Sequence, residues 1–329
     1  MVDFLTVFMA VLSLIMLAVP GFLLAKFKMM PKMATEAFSA MVLYGCQPVL
    51  VFMGFQKEAF NSQIGLNMLV VAAIATAMHL LMACVISFVI RNKRKEDKLC
   101  VAKYACVFGN CGFMGFPFLQ SLFPENGEVM IYGAVVIAVF NMLNWTLGVY
   151  MMTGDKKEIS IKKIVFNPTI IAILVGFITF MIAKQPLVEF FADGSKASAI
   201  ALKVEESLNV IGDMVTPLSL TVIGIKLAGV NFKQLFIDGS AYIVCLFKLI
   251  VMPVLAMLVV AFLPVNVMVK YTIFFLLSMP SAASSALFAV KFNKGGDSAS
   301  IYVLLSTLLC IITIPLMFIV FTSVFGVTV

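Results

Sequence analysis

The stretch that decides the fold runs from Gly109 to Pro117 and reads GNCGFMGFP. It lies inside a run without charged side chains from Tyr104 to Pro124, which is long enough for a membrane-spanning helix. Glycine and proline disfavour a helix interior, by about 1 and about 3 kcal/mol relative to alanine. A segment that can cross a membrane therefore carries helix-breaking residues near its middle.

The chain as a whole has the composition of a membrane protein. Of its 329 residues, 63% are hydrophobic and 12% are charged, and the mean hydropathy is +1.12. Soluble chains are about 45–50% apolar and about 25% charged. We therefore predict an all-α polytopic membrane protein that has the lipid bilayer as its solvent. The basic residues behind the net charge of +7 form no aromatic-interleaved patch, so no nucleic-acid partner is expected.

Uncharged runs mark ten candidate transmembrane helices. They lie at roughly 3–26, 34–56, 64–90, 100–123, 128–153, 165–184, 206–228, 237–263, 268–291 and 298–325. If the N-terminus is outside, the five loops that face the cytoplasm hold 17 Lys and Arg residues, whereas the opposite loops hold five. The positive-inside rule favours this orientation, with both termini outside.

Ten spans divide into two halves of five, and an odd number of spans turns the second half upside down. The fourth span carries the breakers quoted above, and the ninth carries SMPSAASSA around Pro280. Two breaks at matching depth in inverted repeats are typical of the central site of a transporter. The alternative is that these small residues only let neighbouring helices pack closely.

We expect the two breaks to bind a small anion. Pro117 and Pro280 are each placed to begin a second half-helix, where a missing N–H does no harm. The positive ends of both half-helices would then meet near the midplane and attract a carboxylate. The predicted substrate-binding residues are Gly109, Asn110, Gly112, Pro117, Pro280, Ser281, Ser284, Ser285 and Asn144. The carbonyl groups that end the first half-helices, at 106–109 and 275–278, could hold Na⁺ or a polarised water.

Two ionisable residues inside the spans are candidates for coupling or charge pairing. Asp213 has either a proton or substrate role or a structural role beside a polar neighbour. Lys248 is a counter-charge for substrate, or it snorkels to the cytoplasm or pairs with a carboxylate. Asn141 and Asn144 lie on one helical face and either point into the bundle or bond neighbouring helices.

Enzymatic and metal chemistry find little support in the sequence. There is one histidine, His79, and the seven cysteines form no CxxC pair. The motifs HExxH, GxSxG and GxxxxGK[ST] do not occur. We therefore expect no catalytic residues, no metal site and no cofactor, with H⁺ or Na⁺ as the coupling ion.

The same residues resemble the auxin efflux carrier family of membrane transporters. The likeness rests, in chain order, on GNCGFMGFP, NWTLGVY, NPTIIAILVG, TPLSLTVIGIKL, KLIVMPVL and MPSAASSALFA. It implies two inverted five-helix repeats whose fourth and ninth helices are broken and cross at prolines. It also implies a scaffold (1–60 and 161–234) and a transport domain (61–160 and 235–329) that moves like an elevator.

The join between the halves is short, as in compact bacterial members of that family, which implies a dicarboxylate such as malate or malonate as substrate. The prediction is thus a secondary active transporter of a small organic carboxylate in the cell membrane, with a homodimer through the scaffold as a further expectation. The alternative is a cation/proton antiporter or a Na⁺-coupled carrier of related fold. An intramembrane enzyme and a sensor without transport are the readings that the sequence favours least.

Overall fold

The protein is a bundle of helices. The structure, a computed structural model, describes residues 3–31, 33–91, 96–191, 196–230 and 232–326. Over these ranges the regular structure is helical, apart from an isolated antiparallel β-bridge between Gly109 and Ser281. The predicted all-α polytopic class is confirmed.

Eight segments cross the bundle without a full break in the described part of the chain. They are TM1 (Phe4–Lys26), TM2 (Ala34–Gly54), TM3 (Ser62–Val89), TM5 (Gly127–Thr153), TM6 (Pro168–Ala183), TM7 (Ala197–Gly229), TM8 (Gly239–Ala261) and TM10 (Gly296–Val324). TM6 is the shortest of them, and the other seven are long and apolar enough to cross a membrane.

The fourth and ninth segments are broken. TM4a (Asp97–Val107) is followed by TM4b, which consists of a π-helical turn, Cys111–Gly115, and an α-helix, Phe116–Leu122. TM9a (Val267–Ser278) is followed by TM9b (Ser284–Lys291). The helix-breaking residues of the sequence therefore interrupt the two helices in which they were expected to do so.

Asparagine or aspartate side chains cap the starts of six of the helices that the structure describes. Each accepts a hydrogen bond from a backbone N–H of the first turn, and they are Asp3 at TM1, Asn61, Asn126, Asn167, Asp238 and Asn266. Caps of this kind satisfy amide groups that have no partner within the helix, at about 1 kcal/mol each. The short polar loops between the apolar runs thus fix the helix starts.

π-helical turns occur within four of the helices. They are Val42–Cys46 in TM2, Cys111–Gly115 in TM4b, Asn144–Gly148 in TM5 and Phe247–Val251 in TM8. Such turns are frequent at functional sites because they redirect side chains. Here they direct Gln47, Asn144 and Lys248 toward the middle of the bundle, where all three are buried.

The helices pack in two groups. TM7 lies against TM1 and TM2, and TM6 lies against TM2. TM3, TM4, TM5, TM8, TM9 and TM10 pack mainly on one another, and TM1 also contacts TM10. Stacked and tilted aromatic rings fill the second group where TM9a meets TM10, among them Phe274, Phe275, Phe318 and Phe321.

Candidate functional site: the helix crossover and its inner cavity

The two broken helices cross through short extended segments that pair antiparallel at Gly109 and Ser281. The backbone N–H of Asn110 donates to the Pro280 carbonyl at 2.7 Å, and that of Ala282 donates to the Phe108 carbonyl at 2.9 Å. These bonds give partners to backbone groups that the breaks remove from their own helices. Unsatisfied groups at this depth would cost several kcal/mol each, so the crossing makes both breaks tolerable in a membrane.

Ser281 holds the crossing together. Its hydroxyl donates to the Ala105 carbonyl at 2.9 Å, and its backbone N–H donates to the hydroxyl of Ser306 at 3.1 Å. Both groups are buried. Ser281 was predicted to contact substrate, but the structure places its hydroxyl in the frame of the crossover.

The predicted start of a half-helix at Pro280 is wrong, whereas Pro117 is the second residue of the α-helix Phe116–Leu122, which continues the π-helical turn. TM4b starts at Cys111, so that Pro117 lies inside it, and Pro280 lies in the extended segment before TM9b. Proline has no N–H for the carbonyl four residues earlier. In TM4b that carbonyl belongs to Phe113, and it accepts a hydrogen bond from Ser219 of TM7 at 3.0 Å. Pro117 thus frees a carbonyl for a contact between helices.

A cavity of about 90 Å³ lies beside the crossover. We call it the inner cavity, and its lining includes Gln47, Gly109, Asn110, Gly112, Asn144 and Ser284. Asn167 and Thr169, which begin TM6 next to the basic loop at 156–163, also line it. The inner cavity therefore lies toward the face that carries the basic loops, between TM2 and TM6 on one side and TM4, TM5 and TM9 on the other.

Asn110, which lines this cavity, has a hydrogen-bond donor without a partner. The residue is 4% exposed, and its side-chain nitrogen Nδ2 has no hydrogen-bond partner in the protein. A buried polar group without a partner costs about 1–3 kcal/mol. Nδ2 of Asn110 is therefore a buried donor that the protein itself leaves without an acceptor, next to the cavity.

A polar network lines the wall next to Asn110. The Tyr104 hydroxyl bonds to the side-chain oxygen of Asn144 and lies 2.8 Å from the hydroxyl of Ser284. Asn141, which also lines the cavity, donates to the carbonyl of Ile137 in its own helix at 2.9 Å. Of the two roles weighed for Asn144, a bond between helices is present, and the residue faces the cavity as well.

Ser285 lies behind this wall. It is fully buried, its hydroxyl has no partner in the protein, and it is not part of the cavity lining. A role for Ser285 in substrate binding stays a prediction.

The rest of the lining is uncharged and rich in aromatic residues. Phe113, Phe140, Trp145 and Phe288 contribute rings, and the cavity is lined by no Asp, Glu, Lys, Arg or His of the described residues. Trp145 and Phe288 are in contact, with ring centroids 5.0 Å apart. The cavity can thus surround an apolar body and bind a polar group at its crossover end.

Lys248 lies behind the crossover and outside the cavity lining. Its ammonium group donates to the carbonyl of Leu277, the penultimate residue of TM9a, at 3.0 Å, and the residue is 1% exposed. A methyl group on Gly109 would lie 2.8 Å from the Cε and Nζ atoms of Lys248. Lys248 therefore neither snorkels nor lines the cavity, and it occupies a carbonyl that was predicted to hold Na⁺.

Asp213 lies on the opposite side of the bundle, away from the crossover. It is exposed and lines a second cavity of about 280 Å³, the outer vestibule, together with Lys57, Gln120 and Asn209. Its carboxylate accepts a hydrogen bond from Gln120 of TM4b at 3.4 Å. The structure thus does not bring Asp213 together with the other predicted site residues.

Sequence reasoning missed Gln47, Tyr104 and Trp145. Gln47 is a buried amide whose nitrogen fills the space that the missing side chain of Gly112 leaves. One signal was available, since Gln47 is a polar residue within an apolar run and directly precedes Pro48. Tyr104 and Trp145 gave no such signal because aromatic residues are ordinary in membrane spans.

Comparison with known proteins agrees with this architecture. A family model described as membrane transport protein matches the chain twice, over residues 6–163 and 157–318. An uncharacterized transporter of Methanocaldococcus jannaschii is 24% identical over 276 residues, which cover 83% of this chain and 85% of that protein. An uncharacterized transporter of Methanothermobacter thermautotrophicus is 24% identical over 314 residues, which cover 93% and 95% of the two chains.

Proposed function

This chain belongs to the membrane transport protein family, and we propose that it is a secondary transporter that carries a small organic carboxylate across the cell membrane. The family and the relatives agree with the predicted auxin efflux carrier resemblance, and they identify a transporter and not an enzyme. We infer the substrate class, the transport route and the coupling ion from the geometry of the crossover.

The observation that carries the proposal is the unpaired Nδ2 of Asn110 at the start of TM4b. Gly112 and Phe113, in the first turn of TM4b, and Ala283 and Ser284, at the start of TM9b, line the same cavity. Helix N-termini attract anions, at up to about 2 kcal/mol in partly buried positions. Two half-helix starts and one free amide donor therefore favour a carboxylate at this point.

The lining argues against the cation alternatives. A site that binds Na⁺ or exchanges protons uses carboxylates or exposed carbonyls. The inner cavity has no acidic residue among its described lining, and the Leu277 carbonyl is bound by Lys248. We therefore propose that transport does not depend on Na⁺ and that protons are the ion to test for coupling.

The same lining bears on the choice of carboxylate. Malate and malonate are the substrates that the resemblance implies, and both carry two carboxylates. The crossover offers one anion-binding point, and a second charge among aromatic rings would lose its water without a cation, at a cost of several kcal/mol. We expect a monocarboxylate with an apolar body to bind more tightly than malate or malonate.

We further propose that the helix groups move against each other as in an elevator. TM1, TM2, TM6 and TM7 would form the scaffold, and a homodimer through this scaffold remains a prediction. The inner cavity and the outer vestibule both lie where TM2 and TM6 or TM7 face TM4 and TM5. Sliding the second group toward the outside would expose the crossover to the outer vestibule, with both chain termini on that side of the membrane.

Uptake into proteoliposomes tests the proposal. Labelled malate, malonate and phenylacetate are offered with an imposed pH gradient, an imposed Na⁺ gradient or neither. We expect saturable uptake of at least one acid, loss of uptake in Asn110→Ala, and wild-type rates in Gly45→Ala, which lies in open space on TM2. If no carboxylate is taken up under any gradient, the carboxylate proposal is wrong.

A further inference from the structure

Lys291, the last residue of TM9b, lies at the edge of the inner cavity. Its ammonium nitrogen is 4.5 Å from the centroid of the Trp145 ring, which lines the cavity, and the side chain is exposed. The second ring near this nitrogen is Phe292, at 5.8 Å. The cation thus rests on the aromatic wall at the face that carries the basic loops.

Lys291 forms no ion pair with the charged residues of the described part of the chain. Lys163 and Glu158, on the segment that joins the two repeats, act on it electrostatically, but neither forms an ion pair with it among the described residues. Lys294, one turn along the chain, is by contrast bound to Asp97 at 2.7 Å. Lys291 and Lys294 therefore form a matched pair, one free to bind an anion and one already neutralised.

A lysine on an aromatic ring is weakly held. Cation–π contacts at exposed sites contribute about 0.5–1 kcal/mol, whereas a charge-assisted hydrogen bond to a carboxylate contributes about 1.5–3 kcal/mol. The inner cavity has no cation of its own in its described lining. Lys291, on the Trp145 ring, is therefore a cation that an anion can meet at the wall of the cavity mouth.

We propose that Lys291 is the docking point for the substrate carboxylate at the inner mouth. The carboxylate forms a charge-assisted hydrogen bond with the ammonium group of Lys291, which thereby leaves the Trp145 ring. The substrate then moves on to Asn110 and the starts of TM4b and TM9b. The released Trp145 ring covers the apolar body of the substrate. This inference rests on the proposed carboxylate transport.

Kinetics in vesicles of defined sidedness test the docking role. In inside-out vesicles, Lys291→Gln should raise KM by about fivefold with little change in kcat, and Lys291→Arg should restore it. Added salt should raise the wild-type KM and leave that of Lys291→Gln nearly constant, because screening acts on the steering charge. In right-side-out vesicles, the variant should match the wild type.

Lys294→Gln is the matched control and should leave KM unchanged on both sides. The inference is overturned if Lys291→Gln keeps the wild-type KM and salt dependence while the wild type transports carboxylate. It is equally overturned if Lys294→Gln raises KM as much as Lys291→Gln does.

Fluorescence separates this inference from the transport proposal, since Trp145 is the single tryptophan of the chain. Titration of the detergent-solubilised protein with phenylacetate or malonate should change the Trp145 emission in the wild type, and Lys291→Gln should need about fivefold more acid for the same change. A Lys291-dependent change without any transport would sink the transport proposal and keep the docking site. No change with either acid would overturn the docking site itself.

Discussion

Glycines serve two different purposes in the TM1–TM7 interface and in the crossover. At TM1–TM7, a methyl group on Gly21 would overlap the Thr221 carbonyl, and one on Gly224 would overlap the Ala18 carbonyl. At the crossover, Gly109 and Gly112 instead make room for the side chains of Lys248 and Gln47.

The difference shows why glycine alone does not identify a site. Where glycine brings backbone onto backbone, it holds two helices at a fixed short distance. Where glycine admits a polar side chain, it lets an ammonium or an amide group reach the broken backbone. Both readings of the small residues, close packing and a binding site, are therefore present in this protein, in different places.

The largest effect is expected at the TM1–TM7 interface. Gly224→Ala places a methyl group against the backbone of Ala18 and Phe22, which cannot move aside as a flexible side chain can. The free energy of unfolding should fall by about 3 kcal/mol, as in severe overpacking. Thermal unfolding in detergent measures this, with Gly45→Ala as the control that has open space around it. Equal stability of both variants would contradict the backbone contact.

A smaller loss is expected at Gly109. Gly109→Ala should displace the Lys248 side chain and leave the Leu277 carbonyl without its donor, at about 1–3 kcal/mol. In Gly109→Ala/Lys248→Ala the methyl group no longer meets the Lys248 side chain, so the double variant should lose less stability than the two single variants together. Additivity within about 0.5 kcal/mol would mean that the two residues do not interact.

Variants of Asn110 and Ser281 should differ in what they lose, since we expect the first to lose transport and the second to lose stability. Asn110→Ala should lose no stability, because the change removes a buried donor that has no partner, while transport falls by about 10-fold to 100-fold. Ser281→Ala should lose about 1 kcal/mol, since its hydroxyl bonds to Ala105. Melting temperatures and uptake rates of both variants give the comparison, and a destabilised Asn110→Ala would show that this side chain is structural.

The smallest effect is expected for Lys294→Gln at the bundle surface. The hydrogen bond from Lys294 to Asp97 raises the pKa of this lysine, but the pair is partly exposed, so its loss should cost about 0–1 kcal/mol. A lysine whose pKa is raised by folding contributes its full stabilisation below its unfolded-state pKa of about 10.4. This contribution is lost as the pH rises through its folded-state pKa. The difference in melting temperature from the wild type should therefore be constant from about pH 6 to 9 and vanish only in stronger base. A difference that disappears in that neutral range would contradict this sign.

The sequence predicted the broken helices for reasons that are local, while the role of Asn110 in substrate binding stays a prediction. Uncharged runs indicate segments that lie in lipid, and the glycines and prolines of GNCGFMGFP and SMPSAASSA indicate where two helices are interrupted. The helix starts were less predictable, since TM4b begins at Cys111 through a π turn and Pro117 is accommodated by Ser219 of another helix. A contact between TM4b and TM7 produces no periodic pattern in the sequence of either segment, so the sequence does not predict it.

By itself, the sequence determined the membrane as solvent, the ten helical segments and the two that break, because hydropathy and backbone propensity act within a few turns of chain. Only the tertiary structure decided which polar groups are used and which are free. The side chains of Ser281 and Lys248 donate hydrogen bonds to carbonyl groups of other helices. Nδ2 of Asn110 has no acceptor in the protein, and Asp213 lines the outer vestibule. The physical reason is that hydrogen-bond satisfaction depends on neighbours that are distant in sequence, and these neighbours are fixed only when the two halves cross.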